Sequence, residues 1–445
     1  WIGKRKFDAL LGYWVKGLTV DWEGLYTGTD VPPRRMGLPG YPFAKERYWI
    51  GAREIGLDQP RAASPADGTW RVLRRQWVPA PSSANDVRDG RIVVLAEEDT
   101  VDDATALAVS LGRAEVVRVR EVSVADVRWG DFESLVHLVA DATPRSGTEW
   151  IACVQAWMAA RMAPGGRALG VALVKGHAAV PRGGALPTGL YRTLSGEYRR
   201  IQASHVTLRR DGEQTWIERC VRELADAGAD MDVCYLDGAR HVARLAGVEV
   251  AAPAPLDWSP GHALWITGGV RGIGYACAEH FVRAHGVRRL VLTGREAFPD
   301  RSDWESHASA PTAIGQKIRA IRRLEALGAE VAVETVDLSD AAALGKAMHR
   351  LCDAMGPIGG VVHCAGFADA ETPAFIHKQR KILDAVFAPK VSGVDTLLRC
   401  LRDHRGVRFV VAFSSISALA PALAAGQLDY AMANAYMDAV AEDGE

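Results

Sequence analysis

A chain of 445 residues is too long for one ordinary hydrophobic core and predicts two domains or more. With 48% hydrophobic residues, 24% charged residues and a formal net charge of -1, the composition is that of a soluble globular protein. This balance speaks against a nucleic-acid binder, which needs a basic face to neutralise phosphate.

Short arginine pairs such as Arg199-Arg200, Arg209-Arg210 and Arg322-Arg323 are expected to be solvated surface, with a docking patch for an acidic partner as the alternative. The seven cysteines are scattered from Cys153 to Cys400, with no C-x-x-C pair and no metal-like cluster with histidine. No metal is expected, and a reduced, cytoplasmic setting is. No apolar run reaches the roughly 18 residues of a membrane span. The chain opens on Trp1 without a charged-then-apolar leader, so no signal peptide is expected and the chain is expected to be cut from something longer.

In chain order, residues 1–55 have the texture of a linker that packs on a neighbour. WVKGLTVDWEGLYTG is amphipathic, and VPPRRMGLPGYPFAKERYWIG is rich in proline, glycine and aromatics. Prolines fix an extended backbone, and Tyr41, Phe43, Tyr48 and Trp49 need a surface on which to bury, unless the stretch is an ordinary aromatic-rich loop. Residues 65–250 alternate strand-like runs (RIVVLAEE, EVVRVREV, SLVHLVAD, ALGVALVKG, ASHVTL, DVCYLDG) with helix-like ones (ALAVSLG, EWIACVQAWMAARM, WIERCVRELADAG). That alternation predicts a parallel sheet of βαβ units. No glycine-rich phosphate loop follows its first strand, so this half is expected to carry no cofactor. AAPAPLDWSP, residues 251 to 260, is the best domain boundary. The alternation then restarts over 258–445 with strands near ALWIT, RLVLTGR, EVAVETVD, GVVHCAG and RFVVAFSS, and with a long helix from about Ala374 to Leu401. The fold class expected is α/β, two Rossmann-like halves in tandem.

The second half opens with ALWITGGVRGIGYACAEHF, a strand, a T-G-x-x-x-G-x-G turn and a helix, which is the context of a dinucleotide site. Gly268 makes the tight turn, Gly272 lets the backbone approach a pyrophosphate, Gly274 permits close helix packing, and the helix N-terminus stabilises the anion. Thr267, Gly269, Arg271 and Ile273 complete the turn. Arg295 ends the next strand, where NAD-binding folds tend to place a carboxylate for the ribose. A guanidinium there suits a 2′-phosphate, so NADPH is the cofactor expected. Asp337 and Leu338 end the third strand on the adenine side, and Cys364, Ala365 and Gly366 end the fourth on the nicotinamide side.

Towards the end, RFVVAFSS predicts a buried strand presenting Ser415, and DYAMANAYMDA a helix with Tyr430 and Asn434 one turn apart on one face. Hydride transfer to a ketone needs a proton donor, a second hydrogen bond to the oxygen and a group that lowers the donor's pKa. Tyr430 can donate and Ser415 can hydrogen-bond, but the position four after Tyr430 is asparagine, so the cation can come from another helix, although a lone lysine is ordinarily a solvated surface residue. Lys390, after Pro389 in HKQRKILDAVFAPKVSGVDTLL, lies on an element adjacent to that strand in a doubly wound sheet.

The second half resembles the ketoreductase domain of modular polyketide synthases, a branch of the short-chain dehydrogenase/reductase superfamily. In that family the lysine sits in P-K-V-x-G and the asparagine in Y-x-x-x-N, as in PKVSG around Lys390 and YAMAN from Tyr430 to Asn434. The resemblance implies Lys390, Ser415, Tyr430 and Asn434 as the catalytic set. It implies that 258–445 is the catalytic subdomain and that 65–250 is a structural, cofactor-free subdomain, closed by RTLSGEYRRIQASHVTL and YLDGARHVARL. Residues 1–55, through VDW and LPGYPFAKERYW, resemble the linker that follows a ketosynthase. This linker and LAAGQLDYAMANAYMDA are most similar to synthases served by a separate, trans-acting acyltransferase.

Three departures stand out. Ser415 precedes Tyr430 by two residues more than the family's usual spacing. Ser417 has the usual spacing but is expected past the strand end, so a two-residue loop insertion is inferred and Ser415 kept. The family's two stereochemical classes are marked by an L-D-D motif or by a tryptophan. Here FADAE matches only Asp369 of the first, Ala422 stands at the tryptophan position, and the missing tryptophan favours the L-D-D class. The family's fold normally continues past Glu445 with two strands and a lid helix, so the catalytic half is expected to be incomplete at its C-terminus.

The resemblance thus implies NADPH-dependent reduction of a β-ketoacyl chain held on the phosphopantetheine of an acyl carrier protein. Ketosynthase and possibly dehydratase domains are the expected neighbours, with no nucleic-acid or membrane partner. The alternatives are a catalytically silent scaffold module and a freestanding short-chain alcohol dehydrogenase.

Overall fold

The computed structural model describes residues 7–14, 19–25, 27, 72–82, 89–140, 148–174, 182–210, 213–226, 230–249, 256–372, 374–402, 404 and 406–443. The chain divides into two compact units, residues 1–70 and 71–445. In the first, α1 (Phe7–Trp14) buries Leu10 and sets Trp14 edge-on to Trp22, with ring centres 5.8 Å apart. Most of the linker expected over 1–55 lies outside the described residues, including Tyr41, Phe43, Tyr48 and Trp49.

The second unit holds two sheets. The first is built from β1 (Val72–Pro79), β2 (Arg91–Ala96), α2 (Val101–Leu111), β3 (Ala114–Arg118), β4 (Phe132–Ala140), α3 (Glu149–Arg161), β5 (Gly166–Val174), α4 (Arg182–Glu197), β6 (Ile201–Arg209), α5 (Glu213–Ala225), β7 (Asp232–Leu236) and β8 (Ala239–Val248). Its strand order is β1-β8-β7-β6-β5-β4-β2-β3. β5 is buried along its whole length, as expected of a central strand covered by helices on both faces. The expected all-parallel sheet is corrected at one edge, where β8 runs antiparallel to both β7 and β1. Asp237 and Gly238, at φ 48° and 82°, close a two-residue hairpin there, which a crossover helix cannot replace.

The second sheet comprises β9 (Ala263–Thr267), α6 (Gly272–His285), β10 (Arg289–Gly294), α7 (Trp304–Ala308), α8 (Ala313–Ala326), β11 (Glu330–Thr335), α9 (Ala341–Met355), β12 (Ile358–His363), α10 (Arg380–Phe387), α11 (Gly393–Leu401), β13 (Val410–Ala412), α12 (Pro421–Ala424) and α13 (Leu428–Asp443). All its strands are parallel in the order β11-β10-β9-β12-β13. The order reverses between β9 and β12, and the crevice at their carboxyl ends is where such sheets bind ligands.

Two expectations about this sheet are corrected. The long helix from Ala374 to Leu401 is instead α10 and α11 joined by a π-helical turn, Ala388–Ser392. Pro389 has no N–H for a regular helical ladder, and the chain closes the wider turn by donating from Gly393 N to Ala388 O. RFVVAFSS is not a buried strand: only Val410–Ala412 pair, at the sheet edge, and Val410 and Val411 are exposed.

One core joins the two sheets. Tyr191 and Leu194 of α4 pack in the same cluster as Met432 and Tyr436 of α13. The approach is close enough that a Cβ on Gly189 would come 2.7 Å from Met432 Cα, and one on Gly196 2.2 Å from Pro421 O. Glycines thus set how near the first half comes to the helix carrying Tyr430.

Candidate active site

β9 ends at Thr267, and Gly268 turns the chain at φ 69°. Arg271 is the extended N-cap of α6, and Gly272 begins that helix at φ 55°. A Cβ on Gly274 would sit 2.4 Å from Gly268 O, so only glycine lets the helix start against the turn. A Cβ on Gly272 would meet nothing within 4 Å, leaving the amide end of α6 open to an anion.

This turn forms the floor of a cavity of about 380 Å³. Of the residues expected at a cofactor, Thr267, Gly268, Arg271, Gly272, Ile273, Gly274, Arg295, Asp337, Leu338, Cys364, Ala365 and Gly366 all line it. Gly269 does not, because its missing side chain makes room for Leu292 Cδ2 and Ile266 O.

Two lining residues had no signal in the sequence. Lys317 of α8 is buried and ion-pairs with Glu296 at the rim. That bond, with Arg271 and Arg295 nearby, holds the Glu296 carboxyl below its ordinary pKa. Asp337 is also held low, because its Oδ1 accepts from Ser339 Oγ at 2.7 Å and Ser339 N at 2.9 Å. Deeper in, His363 bonds through Nδ1 to Thr267 Oγ1 at 2.8 Å, tying β12 to β9. Burial, and then the nearby Lys390, pull its pKa down to about 4, so its ring is neutral at pH 7.

At the far end of the cavity stands Pro389, and Lys390, next to it in the π turn, is buried without lining the cavity itself. Lys390 is 3% exposed; its Nζ donates to Phe413 O at 2.7 Å and lies 5.5 Å from the Tyr430 ring centre. Burial lowers its pKa to about 8, against the opposing pull of Cys364 and Asp438. A Cβ on Gly366 would come 2.9 Å from Lys390 Cε, so the glycine at the cavity wall also makes room for this lysine. Asn434 is fully buried one turn after Tyr430; its Nδ2 donates to Tyr430 O at 2.7 Å, and its Oδ1 has no partner among the described residues.

Ser415 lies beyond the strand end as the N-cap of a 3-10 turn, Ile416–Ala418, which packs against α13. Ser415 Oγ accepts from Ser417 N at 3.2 Å and from Ser417 Oγ at 3.0 Å. With both lone pairs used, the Ser415 hydroxyl hydrogen is left to point elsewhere. Ser417, the serine at the usual family spacing, is buried behind it.

The cavity ends at Gly366 and Pro389, and Lys390 packs against Gly366 from behind; Lys390, Ser415, Tyr430 and Asn434 are not among the residues that line it. The family model described as KR domain matches residues 263–444. Those residues belong to the KR domain family. Along 99% of its length the chain is 36% identical to polyketide synthase PksL of Bacillus subtilis and 26% identical to polyketide synthase PksM of the same organism. It spans only 10% and 11% of those two proteins. Among solved structures, a ketoreductase domain from the bacillaene assembly line aligns over 84% of this chain and 79% of its own, with TM-score 0.63 and 23% identity. An A-type ketoreductase from a modular polyketide synthase aligns over 84% and 80%, with TM-score 0.66 and 24% identity. These two neighbours establish the fold, in which the KR domain stands behind a second α/β half.

Proposed function

We propose that this chain is an NADPH-dependent ketoreductase that reduces a β-ketoacyl group, carried as a thioester on the phosphopantetheine of an acyl carrier protein, to a β-hydroxyacyl group. The observation that carries this reading is the buried Lys390 ammonium 5.5 Å from the Tyr430 ring, packed behind Gly366 in the wall of a cavity floored by the glycine turn. The residues fit the cofactor: Gly272 leaves the helix N-terminus bare for a pyrophosphate, Gly274 lets that helix start against the turn, and exposed Arg271 and Arg295 offer cations at the rim for a 2′-phosphate. When bound, NADPH supplies the hydride.

The residues of the chain do the rest. Tyr430 gives its hydroxyl proton to the ketone oxygen as negative charge develops there. Ser415, whose hydrogen is left free by Ser417, donates a second hydrogen bond to the same oxygen. Lys390 stabilises the tyrosinate that forms, which lowers the cost of the proton transfer. Asn434 Oδ1, buried and without a partner among the described residues, is placed to accept from a water that returns the proton. Neighbouring synthase domains and the acyl carrier protein are the partners this reading requires, and a separate acyltransferase fits the kinship with the Bacillus synthases.

The test is loss of reduced-nicotinamide absorbance with a short 3-oxoacyl thioester, for the whole natural chain carrying these residues and for its Tyr430→Phe variant. Turnover that vanishes in the variant supports the reading. Binding of NADPH with no turnover of any ketone makes the silent scaffold the better account.

A further inference from the structure

The chemistry above does not use the charges buried at the start of α13. Lys378, in the turn before α10, has a fully enclosed side chain. Its Nζ donates to Asp369 Oδ2 at 3.1 Å and lies 2.9 Å from Asp429 Oδ2, with both carboxylates buried as well. Asp369 also accepts from the amides of Glu371 at 3.1 Å and Thr372 at 3.2 Å, so it pins its own loop. From the other half of the unit, Gln155 of α3 donates to the carbonyls of Phe375 at 2.7 Å and Lys378 at 3.0 Å, fixing the backbone that carries the lysine.

Asp369 is three residues past Gly366 at the cavity wall, and Asp429 immediately precedes Tyr430. Three buried ions are a poor way to add stability, because desolvation cancels most of their attraction. What such a cluster does well is fix one geometry.

We propose that Lys378 is a positioning residue, a strut that bonds the loop 367–372 and the first turn of α13 at once and so sets the gap between Gly366 and Tyr430 in which the ketone must lie. That it is a ketone rests on the function proposed above; the strut itself does not. Asp369 is held in its charged form: burial raises its pKa, but Lys378 and the two amides outweigh it. Asp429 goes the other way, raised by burial with Lys378 only partly offsetting it, so the pair with Lys378 is its main support.

The variants are Lys378→Arg, Lys378→Met and the double Lys378→Met/Asp429→Asn. The last keeps the proposal testable if the single Met variant fails to fold around two stranded carboxylates. Hydrogen exchange is measured on the whole natural chain. The expected result for the double variant is faster amide exchange in 367–372 and 428–434 together, with the 267–274 turn and NADPH affinity unchanged and Lys378→Arg close to wild type. In turnover, kcat is expected to fall about 100-fold with the KM for NADPH unchanged, and the ratio of the two alcohol enantiomers to shift towards one. Exchange that stays as in wild type, or rises evenly along the chain, overturns the strut. A wild type that exchanges as expected but reduces no ketone overturns the proposed function and leaves the exchange result to decide on Lys378.

Discussion

The Lys390 ammonium hangs from the carbonyl of Phe413 at 2.7 Å while facing the ring of Tyr430. A buried cation held this way is costly, and its pKa of about 8 against an ordinary 10.5 measures the cost. Below pH 8 both folded and unfolded chains carry the proton, and only the folded chain bears the desolvation penalty. Between about 8 and 10.5 the folded lysine is neutral while the unfolded one stays charged, so stability rises with pH there. Lys390→Met is therefore expected to raise stability at pH 7 by at most about 3 kcal/mol, less about 1 kcal/mol for the Phe413 carbonyl left without its donor. The gain should fade above pH 8 in denaturant titrations, while turnover is lost at every pH. In wild type, kcat/KM should fall above about pH 8 as the ammonium deprotonates. A variant less stable than wild type at pH 7 would sink this account.

The glycine turn makes a contrast between two neighbours. Gly274→Ala drives a Cβ to 2.4 Å from Gly268 O, where the partner is backbone and cannot yield. Binding of NADPH should fall at least 10-fold, with about 1–3 kcal/mol of lost stability. Gly272→Ala meets open space and suffers only from its φ of 55°, about 1–2 kcal/mol. Thermal melts and cofactor titrations on both variants check the order, and an equal loss in both would contradict the packing argument.

At the rim, Arg295→Gln removes a charge-assisted partner for a 2′-phosphate, worth about 1.5–3 kcal/mol. The preference for NADPH over NADH should fall roughly 10- to 100-fold, with kcat at saturating NADPH little changed. Since Arg295 is exposed, the wild-type preference should weaken as salt rises. An unchanged cofactor ratio in the variant would assign the phosphate to Arg271 or Lys317 instead.

Ser415 and Ser417 should separate in the same assay. Ser415→Ala removes the outward donor and should lower kcat about 100-fold. Ser417→Ala removes one hydrogen bond behind it and should cost a few-fold, because the Ser417 amide still reaches Ser415 Oγ at 3.2 Å. The reverse order in kcat would move the role to Ser417.

The cofactor end was legible because its constraints are local. A strand, a turn needing positive φ at Gly268 and Gly272, and a helix pressed on Gly268 O each leave a glycine at a fixed spacing. The Lys390 site was legible in its residues but not in its backbone: a π turn has no periodic signature, and only Pro389 hinted that the long helix could not run through. Asp237-Gly238 was an available hairpin signal for the antiparallel edge. α4 escaped notice for a physical reason, since RGGALPTGLYRTLSGE carries four glycines and a proline and has poor helix propensity. Packing against α13 pays for that, and the glycines are what permits the packing. Lys317 and Lys378 could not be told from solvated lysines, because their burial is decided by elements far away in sequence.

That dependence on distant elements makes Arg192 of α4 the sharpest test of what the first half contributes. Its Nη2 lies 2.7 Å from Asp232 Oδ2 in the first sheet, and its Nη1 donates to Ala418 O at 3.1 Å, at the end of the turn that Ser415 caps. Burial would raise the Asp232 pKa, but Arg192, His205 and Arg75 outweigh it and hold the carboxylate far below its ordinary range. The stability this confers is complete above the unfolded pKa of about 4 and is lost as pH falls. Arg192→Met removes the nearest of that carboxylate's partners and leaves His205 at 3.3 Å and Arg75 at 3.6 Å, so it should cost at most about 3 kcal/mol. Adding Asp232→Asn removes the under-compensated charge and should restore much of the stability, but not the bond to Ala418 O. If the first half only braces the fold, kcat should recover with stability in the double variant. If Arg192 positions the Ser415 turn, kcat stays about 10-fold low in a protein that melts near wild type, and this is the outcome the two contacts of its guanidinium predict.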